Sequence, residues 1–421
     1  MIPVNQYFVY VLGVVAVVVI AVAVPGLPRL LKWRDDAHFQ PPFYSPQDLT
    51  ALHACAGNVT VHLDNATLDR LESQMGGVRP VGTVRLFYIT TRCQHRHGTN
   101  DENDDDENET TNSPNIASKE HILLSHGSGL SSKFFTSNLL GNQQETLWTQ
   151  LLSASDNSFD LTAVDLRGHG LSEITKGPYN VELLGADLAA FVQEFSSLSN
   201  SSKNKNNNAK NQNRRVHCHG LSAGFGACMS MAIYDPDLVE TLTGSGWLFD
   251  RSRFELLPYI FSRPLLNKLL GIQVIARLGQ VVMRVQQHDW SRGGLLEHMM
   301  HHAHLDGFVS LASSWFQFNV SHALPTWTKI PTLFVLPEYD ADVGFPRHLI
   351  EQEINLMPKS AAALGGERMG HIVEFAKHSH CMVGEPGGAA KMAKVVYEFI
   401  TNSTLQKKKN NKLEQQQQNQ D

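Results

Sequence analysis

The residue of this 421-residue chain with the clearest capacity for chemistry is a serine with a glycine two residues to either side. It stands in the pentapeptide Gly220-Leu221-Ser222-Ala223-Gly224. Residues 215–219 predict a short buried strand before it, and residues 223–234, rich in Ala and Met, predict a helix after it. At such a turn the backbone of a serine is strained, its hydroxyl is exposed, and the glycines leave room for the turn. The pattern predicts a nucleophile, although five residues alone would also fit an ordinary glycine-rich turn.

A second glycine-rich turn, His126-Gly127-Ser128-Gly129, follows an apolar strand predicted from residue 121. Glycines after a strand end allow backbone N–H groups to point into a cavity, where they can stabilise a developing oxyanion. We expect the two donors to be the N–H of Ser128 and the N–H of Ala223, the residue after the candidate nucleophile.

A third motif follows a strand predicted at 159–164 and contains Asp165, Arg167 and His169. By residue type alone, each of the three could take part in catalysis. We favour a structural role, in which charge-assisted hydrogen bonds hold the loop in place.

The order and spacing of these motifs resemble those of α/β-hydrolase-fold proteins of the large AB hydrolase-1 group. The resemblance rests on residues 126–129, 165–172 and 220–224, and it covers roughly residues 80–402. It implies an α/β protein with a mostly parallel central sheet flanked by helices, and a helical lid inserted after the sixth strand. The motifs are specific for the fold and not for a substrate.

In this family the catalytic triad runs serine, acid, histidine along the chain, so the resemblance places the acid downstream of Ser222. Three carboxylates follow a buried strand predicted at 330–336: Glu338, Asp340 and Asp342. Asp340 fits the family pattern best, Asp342 is second and Glu338 is third. Pro337 stands where the family usually has glycine, which leaves the register open by two residues.

The base that the resemblance favours is His380, with His378 as the alternative; both follow a strand predicted at 371–377. Ser379 stands between them where the family usually has glycine. A serine hydroxyl is a poor nucleophile until a neighbouring base takes its proton, and the same base later protonates the leaving group. The acid fixes the tautomer of the histidine and stabilises its charged form. This chemistry requires no metal and no organic cofactor.

The N-terminal segment Phe8–Val24 is uncharged and consists largely of Val and Ala. As a helix it would be about 26 Å long, which is the short end of a membrane span. A single-pass anchor and a cleaved signal peptide both fit, and the absence of Lys and Arg before the segment favours the anchor. We therefore expect a membrane protein, or a secretory one if the segment is cleaved.

The orientation of that anchor stays open. Basic residues after the segment (Arg29, Lys32 and Arg34) would keep the rest of the chain in the cytoplasm. Six glycosylation sequons would instead suit a lumenal domain; they begin at Asn58, Asn65, Asn108, Asn200, Asn319 and Asn402.

Composition predicts the organisation of the chain. We expect an anchor or signal segment at 1–28, a linker at 29–79, a hydrolase core at 80–246 and 330–402, a lid at 247–329 and a low-complexity tail at 403–421. Polar insertions at 98–119 and 200–213, and the tail from Leu405, are too poor in apolar residues to predict order. A net charge of −6 and modest aromatic content do not indicate nucleic-acid binding.

The predicted lid is rich in large apolar side chains, which would line an acyl pocket or form the core of the lid itself. They are Trp247, Phe249, Phe254, Met299, Met300, Trp315, Phe316 and Phe318. The lid also contains His298, His301, His302 and His304. Because no His-Glu-x-x-His pattern accompanies these histidines, a polar helix face is favoured over a zinc site.

The five cysteines show neither a pairing pattern nor metal-ligand spacing. Cys218 and Cys228 lie on either side of the candidate nucleophile, and we expect them to be buried packing residues. Cys381 is adjacent to His380 but lacks a strand-to-helix turn, so it is rejected as a nucleophile.

The sequence thus predicts a serine hydrolase that cleaves a carboxylic or lipid ester through an acyl-enzyme. Its partners would be a small-molecule or lipid ester substrate and, through the N-terminal segment, a membrane. The alternatives are a peptidase or amidase, an acyltransferase, and a non-catalytic ligand-binding protein on the same fold. The acyltransferase spacing His301-x4-Asp306 occurs in the predicted lid, away from the expected catalytic histidine.

Overall fold

The computed structural model describes residues 44–93, 119–137, 145–200, 215–250, 311, 314, 318–326, 330–338, 347–357, 369–378, 380 and 382–418. These residues contain an eight-stranded sheet with helices on both faces. The strands are β1 (Cys55–His62), β2 (Thr83–Thr90), β3 (Glu120–Ser125), β4 (Phe159–Val164), β5 (Val216–Leu221), β6 (Val239–Ser245), β7 (Thr332–Pro337) and β8 (Gly370–Phe375).

The strand order is β1-β2-β4-β3-β5-β6-β7-β8. Strand β2 is antiparallel to both of its neighbours, and all the other pairings are parallel. Every residue of β5 and β7 is buried, as expected for parallel strands covered on both faces. The edge strand β1 instead alternates exposed and less exposed residues over most of its length.

The helices of the described residues are α1 (Pro46–Ala51), α2 (Asn65–Gln74), α3 (Lys133–Thr136), α4 (Leu147–Ala154), α5 (Val181–Asn200), α6 (Ala223–Tyr234), α7 (Arg347–Leu356) and α8 (Gly388–Gln418). Helices α5, α6 and α7 contribute to an apolar core on one face of the sheet. Helices α3, α4 and α8 contribute to a second core on the other face. On β3, Leu123 belongs to the first core, whereas Ile122 and Leu124 belong to the second.

Two segments differ from the sequence expectation. The predicted linker at 29–79 contains β1, which pairs with β2 along eight residues and is therefore part of the sheet. The prediction of disorder from Leu405 onward is wrong for 405–418, because α8 continues to Gln418. Low hydrophobicity argues only against burial, whereas Lys, Gln and Glu favour helix, and the buried turns at 389–400 already supply the nucleus.

The chain reverses direction across the sheet between β3 and β5. After β3 it continues to β4 on one side, and after β4 it returns to β5 on the other side. In open α/β sheets, ligands bind at such a switch point, beyond the carboxyl ends of the strands. Two of the predicted motifs, 126–129 and 220–224, lie at this position.

Candidate active site

Ser222 lies between β5 and α6 with a backbone φ of 52° and ψ of −126°. A positive φ is unfavourable for any residue with a side chain, so the surrounding structure must hold it. The Ser222 N–H donates to the carbonyl of Ser245 on β6 at 2.8 Å. The Ser222 carbonyl accepts from the N–H groups of Phe225 and Gly226, at 2.9 and 3.1 Å, in the first turn of α6. Hydrogen bonds on both sides thus fix the strained serine.

The two glycines of the motif are required by close main-chain approaches. A Cβ added at Gly220 would clash with the backbone of Phe225, and one added at Gly224 would clash with the carbonyl of Ser125 at the end of β3. Any larger residue at either position would push α6 away from the sheet. The role predicted for these glycines is confirmed.

The turn at 126–129 lies directly against the serine. A Cβ built on Gly127 would be 3.2 Å from the Cβ of Ser222. Ser128 and Ala223, the predicted oxyanion donors, are both buried, at 8% and 0% exposure. The structure therefore brings this turn to the nucleophile position, while the direction of the two N–H groups stays a prediction.

His126 links this turn to the loop after β4. Its Nε2 accepts from the N–H of Leu166 at 2.9 Å, so the ring is neutral and Nδ1 carries the proton that it donates to the Gly127 carbonyl at 2.8 Å. The ring also packs against that of His169, with centroids 5.3 Å apart. A buried neutral histidine therefore connects the 126–129 turn to the 165–172 loop.

The structural role predicted for Asp165 and Arg167 is confirmed. The Asp165 carboxylate accepts from the N–H groups of Ser132 and Leu171, at 2.6 and 2.8 Å. Burial raises the pKa of Asp165 to about 6, and these N–H donors oppose the rise. Arg167 makes two hydrogen bonds to the buried Asp187 on α5, at 2.7 and 2.6 Å.

His169 also has a structural contact, because its Nδ1 donates to the carbonyl of Arg167 at 3.0 Å. The ring is fully buried beside His126. The sequence did not identify Asp187, the partner of Arg167, because their pairing depends on how α5 packs against the loop.

Of the three candidates for the catalytic acid, the structure describes only Glu338. The exposed Glu338 follows β7 directly, and its carboxylate accepts from the Lys377 N–H just beyond β8 at 2.6 Å. This contact connects the ends of the two strands. Asp340 and Asp342 lie outside the described residues, so their order of preference stays a prediction.

His378, the alternative base, is buried and has partners at both ring nitrogens. Its Nδ1 is 2.8 Å from the Glu385 carboxylate, and its Nε2 is 3.1 Å from the Lys391 ammonium. Because an ammonium group only donates, Nε2 accepts and Nδ1–H donates to Glu385. No ring lone pair is therefore left to accept a proton from a serine.

His380 lies at the end of β6, next to β5, the strand that precedes Ser222. A Cβ built on Gly246 would clash with the His380 imidazole, so only a glycine leaves room for the ring there. Gly246 follows Ser245, whose carbonyl accepts from the Ser222 N–H. The structure thus places His380 near the β5 turn, whereas the ring of His378 contacts the start of α8.

A disulfide joins Cys218 on β5 to Cys228 on α6, with Cα atoms 6.0 Å apart. Both residues are buried, as predicted, but the expectation of simple packing residues is wrong. Spacing alone does not predict the bond, because it depends on how β5 and α6 face each other across the Ser222 turn. The crosslink spans the elements on either side of Ser222.

Three of the aromatic side chains assigned to the predicted lid belong to the main core. Trp247 packs edge to face on Phe318, with centroids 5.8 Å apart, and Phe249 packs on Phe334 at 6.0 Å. Trp247, Phe249 and Phe318 are each at most 1% exposed. These three are part of the main core rather than the core of a separate lid, and the other five lie outside the described residues.

The described ranges contain no group of three or more His, Cys, Asp or Glu residues that could hold a metal ion. They also contain no helix long and apolar enough to span a membrane. The histidines at 298–304 and the segment at 8–24 both lie outside these ranges.

Comparison with known proteins gives a consistent result. A model described as the alpha/beta hydrolase family matches residues 122–391. A thermophilic esterase from Thermogutta terrifontis, solved with malate bound, has a TM-score of 0.54 at 15% identity, over 82% of this chain and 99% of that one. An enol-lactonase from Burkholderia xenovorans gives 0.44 at 17% identity, over 76% and 97%. An esterase from Exiguobacterium antarcticum gives 0.48 at 12%, over 77% and 98%. No curated protein sequence matches the chain, and identities this low show the fold alone.

Proposed function

The chain belongs to the alpha/beta hydrolase family, and we propose that it is a serine hydrolase that cleaves a carboxylic or lipid ester through an acyl-enzyme. The observation that carries this proposal is the backbone of Ser222, held at a φ of 52° at the switch point of the sheet. Such strain is retained at sites where a side chain must be presented in one direction.

In the proposed reaction, His380 takes the proton of the Ser222 hydroxyl while the oxygen attacks the ester carbonyl carbon. The N–H groups of Ser128 and Ala223 donate to the resulting oxyanion. The intermediate collapses, the C–O bond of the leaving alcohol breaks, and His380 protonates that alcohol. His380 then takes a proton from water, whose oxygen attacks the acyl carbon, and the acyl–Ser222 bond breaks to release the acid while His380 returns the proton to the serine oxygen. Asp340 holds the imidazole in the required tautomer throughout.

The surroundings of the two histidines support His380 as the base. His378 uses both ring nitrogens for Glu385 and Lys391 and is fixed away from the site. His380 lies instead against Gly246, one residue beyond the carbonyl that holds Ser222. A base must come within hydrogen-bond reach of the proton that it removes, and the contact of the His380 ring with Gly246 supports His380 in this role.

Turnover of matched substrates tests the reaction class. We expect the full chain to hydrolyse short-chain p-nitrophenyl esters much faster than the corresponding anilides, and Ser222→Ala to abolish both activities. Faster cleavage of the anilide would support the peptidase or amidase alternative, and acyl transfer to an added alcohol in preference to water would support the acyltransferase. A folded protein without turnover on any of these substrates would contradict the proposal and favour a ligand-binding protein.

We also propose that the part of 247–329 outside the main core forms a lid over the site and that the segment at 8–24 attaches the chain to a membrane. The apolar composition of both segments supports these assignments. Carbonate extraction of cell membranes tests the attachment. The full chain should stay in the membrane pellet and a variant without residues 1–28 should be released, whereas release of the full chain would contradict an anchor.

A further inference from the structure

We propose that Cys55 and Cys93 form a second disulfide in the native protein. It would join the start of β1 to the segment that follows the end of β2. The sequence suggests no partner for either cysteine, and in the structure both are thiols. The inference rests on where the antiparallel pairing of β1 and β2 brings the two side chains, and it is independent of the proposed function.

Strand pairing sets the position of Cys55. It is the first residue of β1 and lies opposite Thr90, the last residue of β2. Its Sγ is 3.5 Å from the Thr90 carbonyl oxygen. The Sγ of Cys93 is 3.8 Å from the same oxygen. Two thiols that contact one carbonyl oxygen are neighbours, although their residues are far apart in the sequence.

A tight turn after β2 sets the position of Cys93. The Cys93 N–H donates to the Thr91 carbonyl at 2.9 Å, and the Arg92 N–H donates to the Thr90 hydroxyl at 3.1 Å. Arg92 also pairs with Asp160 on β4 at 2.7 Å, which holds the turn against the sheet. The turn directs Cys93 back toward β1, and the position of Cys93 is set by hydrogen bonds of the main chain.

The two thiols also interact with each other. Burial, a hydrogen bond to Cys93 and the charge of Cys93 together raise the pKa of the Cys55 thiol to about 12. Cys55 is half-buried and Cys93 is exposed. An external reagent therefore reaches Cys93 first, and Cys55 is placed as the second sulfur.

The bond forms by thiol–disulfide exchange with an external disulfide, such as glutathione disulfide or an oxidoreductase. The Cys93 thiolate attacks one sulfur of that reagent and expels the other as a thiol. Cys55 then loses its proton and attacks the Cys93 sulfur, which releases the second reagent thiol. Two cysteine thiols lose two electrons and two protons, and one reagent disulfide becomes two thiols.

Other features of the chain fit an oxidising compartment, where such bonds persist. Cys218 and Cys228 are already joined. The described sequon residues Asn58, Asn65, Asn319 and Asn402 are all exposed, as glycosylation requires. Two disulfides in one domain are uncommon in a reducing cytosol.

Peptide mapping without reduction tests the proposal. The full chain, expressed through the secretory pathway of eukaryotic cells and blocked with iodoacetamide at harvest, should yield one crosslinked peptide pair containing Cys55 and Cys93. The pair containing Cys218 and Cys228 is the internal control. Alkylation of both Cys55 and Cys93 in a sample that retains the control crosslink would overturn the proposal, as would a crosslink from either residue to Cys381 or to a second chain.

A thiol count in denaturant gives a second readout. Of the five cysteines, only Cys381 should react in the unfolded, unreduced wild type. Cys93→Ser should raise the count from one thiol to two by exposing Cys55, and Cys381→Ser should lower it to none. A wild-type count of three, unchanged by added glutathione disulfide, would contradict the second disulfide.

Discussion

In the nucleophile half of the proposed site, residues 125–129 and 220–224, main-chain contacts set the positions. In the proton-transfer half, of which the structure describes residues 336–338, 375–378 and 380, the positioning contacts are made by side chains. Ser222 is held by three main-chain hydrogen bonds, and neither flanking glycine can carry a Cβ. Across the sheet, the Glu338 carboxylate accepts from the main-chain N–H of Lys377, and the His378 ring bonds to the side chains of Glu385 and Lys391.

This difference determines what a sequence can reveal. Main-chain contacts around Ser222 require glycine at fixed spacing within five residues, so they leave a local pattern. A side-chain pair such as Arg167 and Asp187 leaves no such pattern, because α5 must first pack against the loop. We therefore expect two kinds of substitution. Some should abolish catalysis in an intact fold, and others should lower the free energy of unfolding without changing kcat.

The largest effect in the proton-transfer half should distinguish the two histidines. His380→Ala should lower kcat on the order of 10⁴-fold or more, because Ser222 loses its base. His378→Ala should lower the free energy of unfolding by about 1–3 kcal/mol, because Glu385 loses a buried donor. Its kcat per folded molecule should stay near wild type. Ester turnover and chemical denaturation of both variants check this, and the reverse pattern would make His378 the base.

The acid is the next test. Asp340→Asn should lower kcat by about 10⁴-fold, since an amide no longer holds the histidine in the required tautomer. Asp342→Asn and Glu338→Gln are the matched controls and should keep most of their activity, with Glu338→Gln weakening only the contact to the Lys377 N–H. Loss of turnover in Asp342→Asn with activity retained in Asp340→Asn would shift the assignment by two residues.

A glycine pair tests whether His380 depends on the main chain of β6. Gly246 and Gly387 have the same φ of 70°, but a Cβ on Gly246 would clash with the His380 ring, whereas one on Gly387 meets nothing within 4 Å. Both Gly→Ala variants carry a backbone strain of about 1–3 kcal/mol. Only Gly246→Ala should also lower kcat, by about 100-fold, because it displaces the base. Equal kcat values would contradict the location of His380.

The last prediction concerns stability rather than turnover, at a buried histidine just before the nucleophile half. Burial lowers the pKa of His219 on β5 from 6.5 to about 4, and its Nδ1 is 2.8 Å from the Thr243 hydroxyl. Between these values the unfolded chain binds a proton that the folded chain excludes, so stability falls as the pH falls from 6.5 toward 4. Since one pKa unit corresponds to about 1.4 kcal/mol, His219 should account for about 3 kcal/mol of that loss.

Denaturation of wild type and His219→Gln across this range measures the contribution of His219. The variant should show a shallower dependence of the unfolding free energy on pH, because glutamine does not titrate and can still bond to Thr243. Parallel pH profiles for the two proteins would contradict the assignment.

Much of the fold could be predicted from the sequence where burial is continuous. The helix predicted at 223–234 is α6 with the same bounds, and the strand predicted at 330–336 overlaps β7. Strand β1 was included in a linker because an edge strand with polar, alternating residues gives a weak signal. The helix at 405–418 was missed because a composition poor in apolar residues argues only against burial. It does not exclude the continuation of a helix that begins in the core.

Within the site, Ser222 could be predicted because its constraints are local, and the 126–129 turn because it follows a buried strand. The three candidates for the catalytic acid could be ranked, but none could be assigned. Pro337 stands where the family usually has glycine, so the number of residues from the strand end to the acid is uncertain. The Cys218–Cys228 disulfide could not be inferred from spacing alone. It depends on the direction in which β5 and α6 present their side chains across the Ser222 turn.

The most direct test of an activated serine is covalent labelling with a fluorophosphonate, followed by identification of the modified peptide by mass spectrometry. The account predicts one adduct on Ser222 in the wild type, no labelling of Ser222→Ala, and undiminished labelling of His378→Ala. A folded wild-type chain that does not react, or that carries the adduct on another residue, would contradict the assignment of Ser222 as the nucleophile.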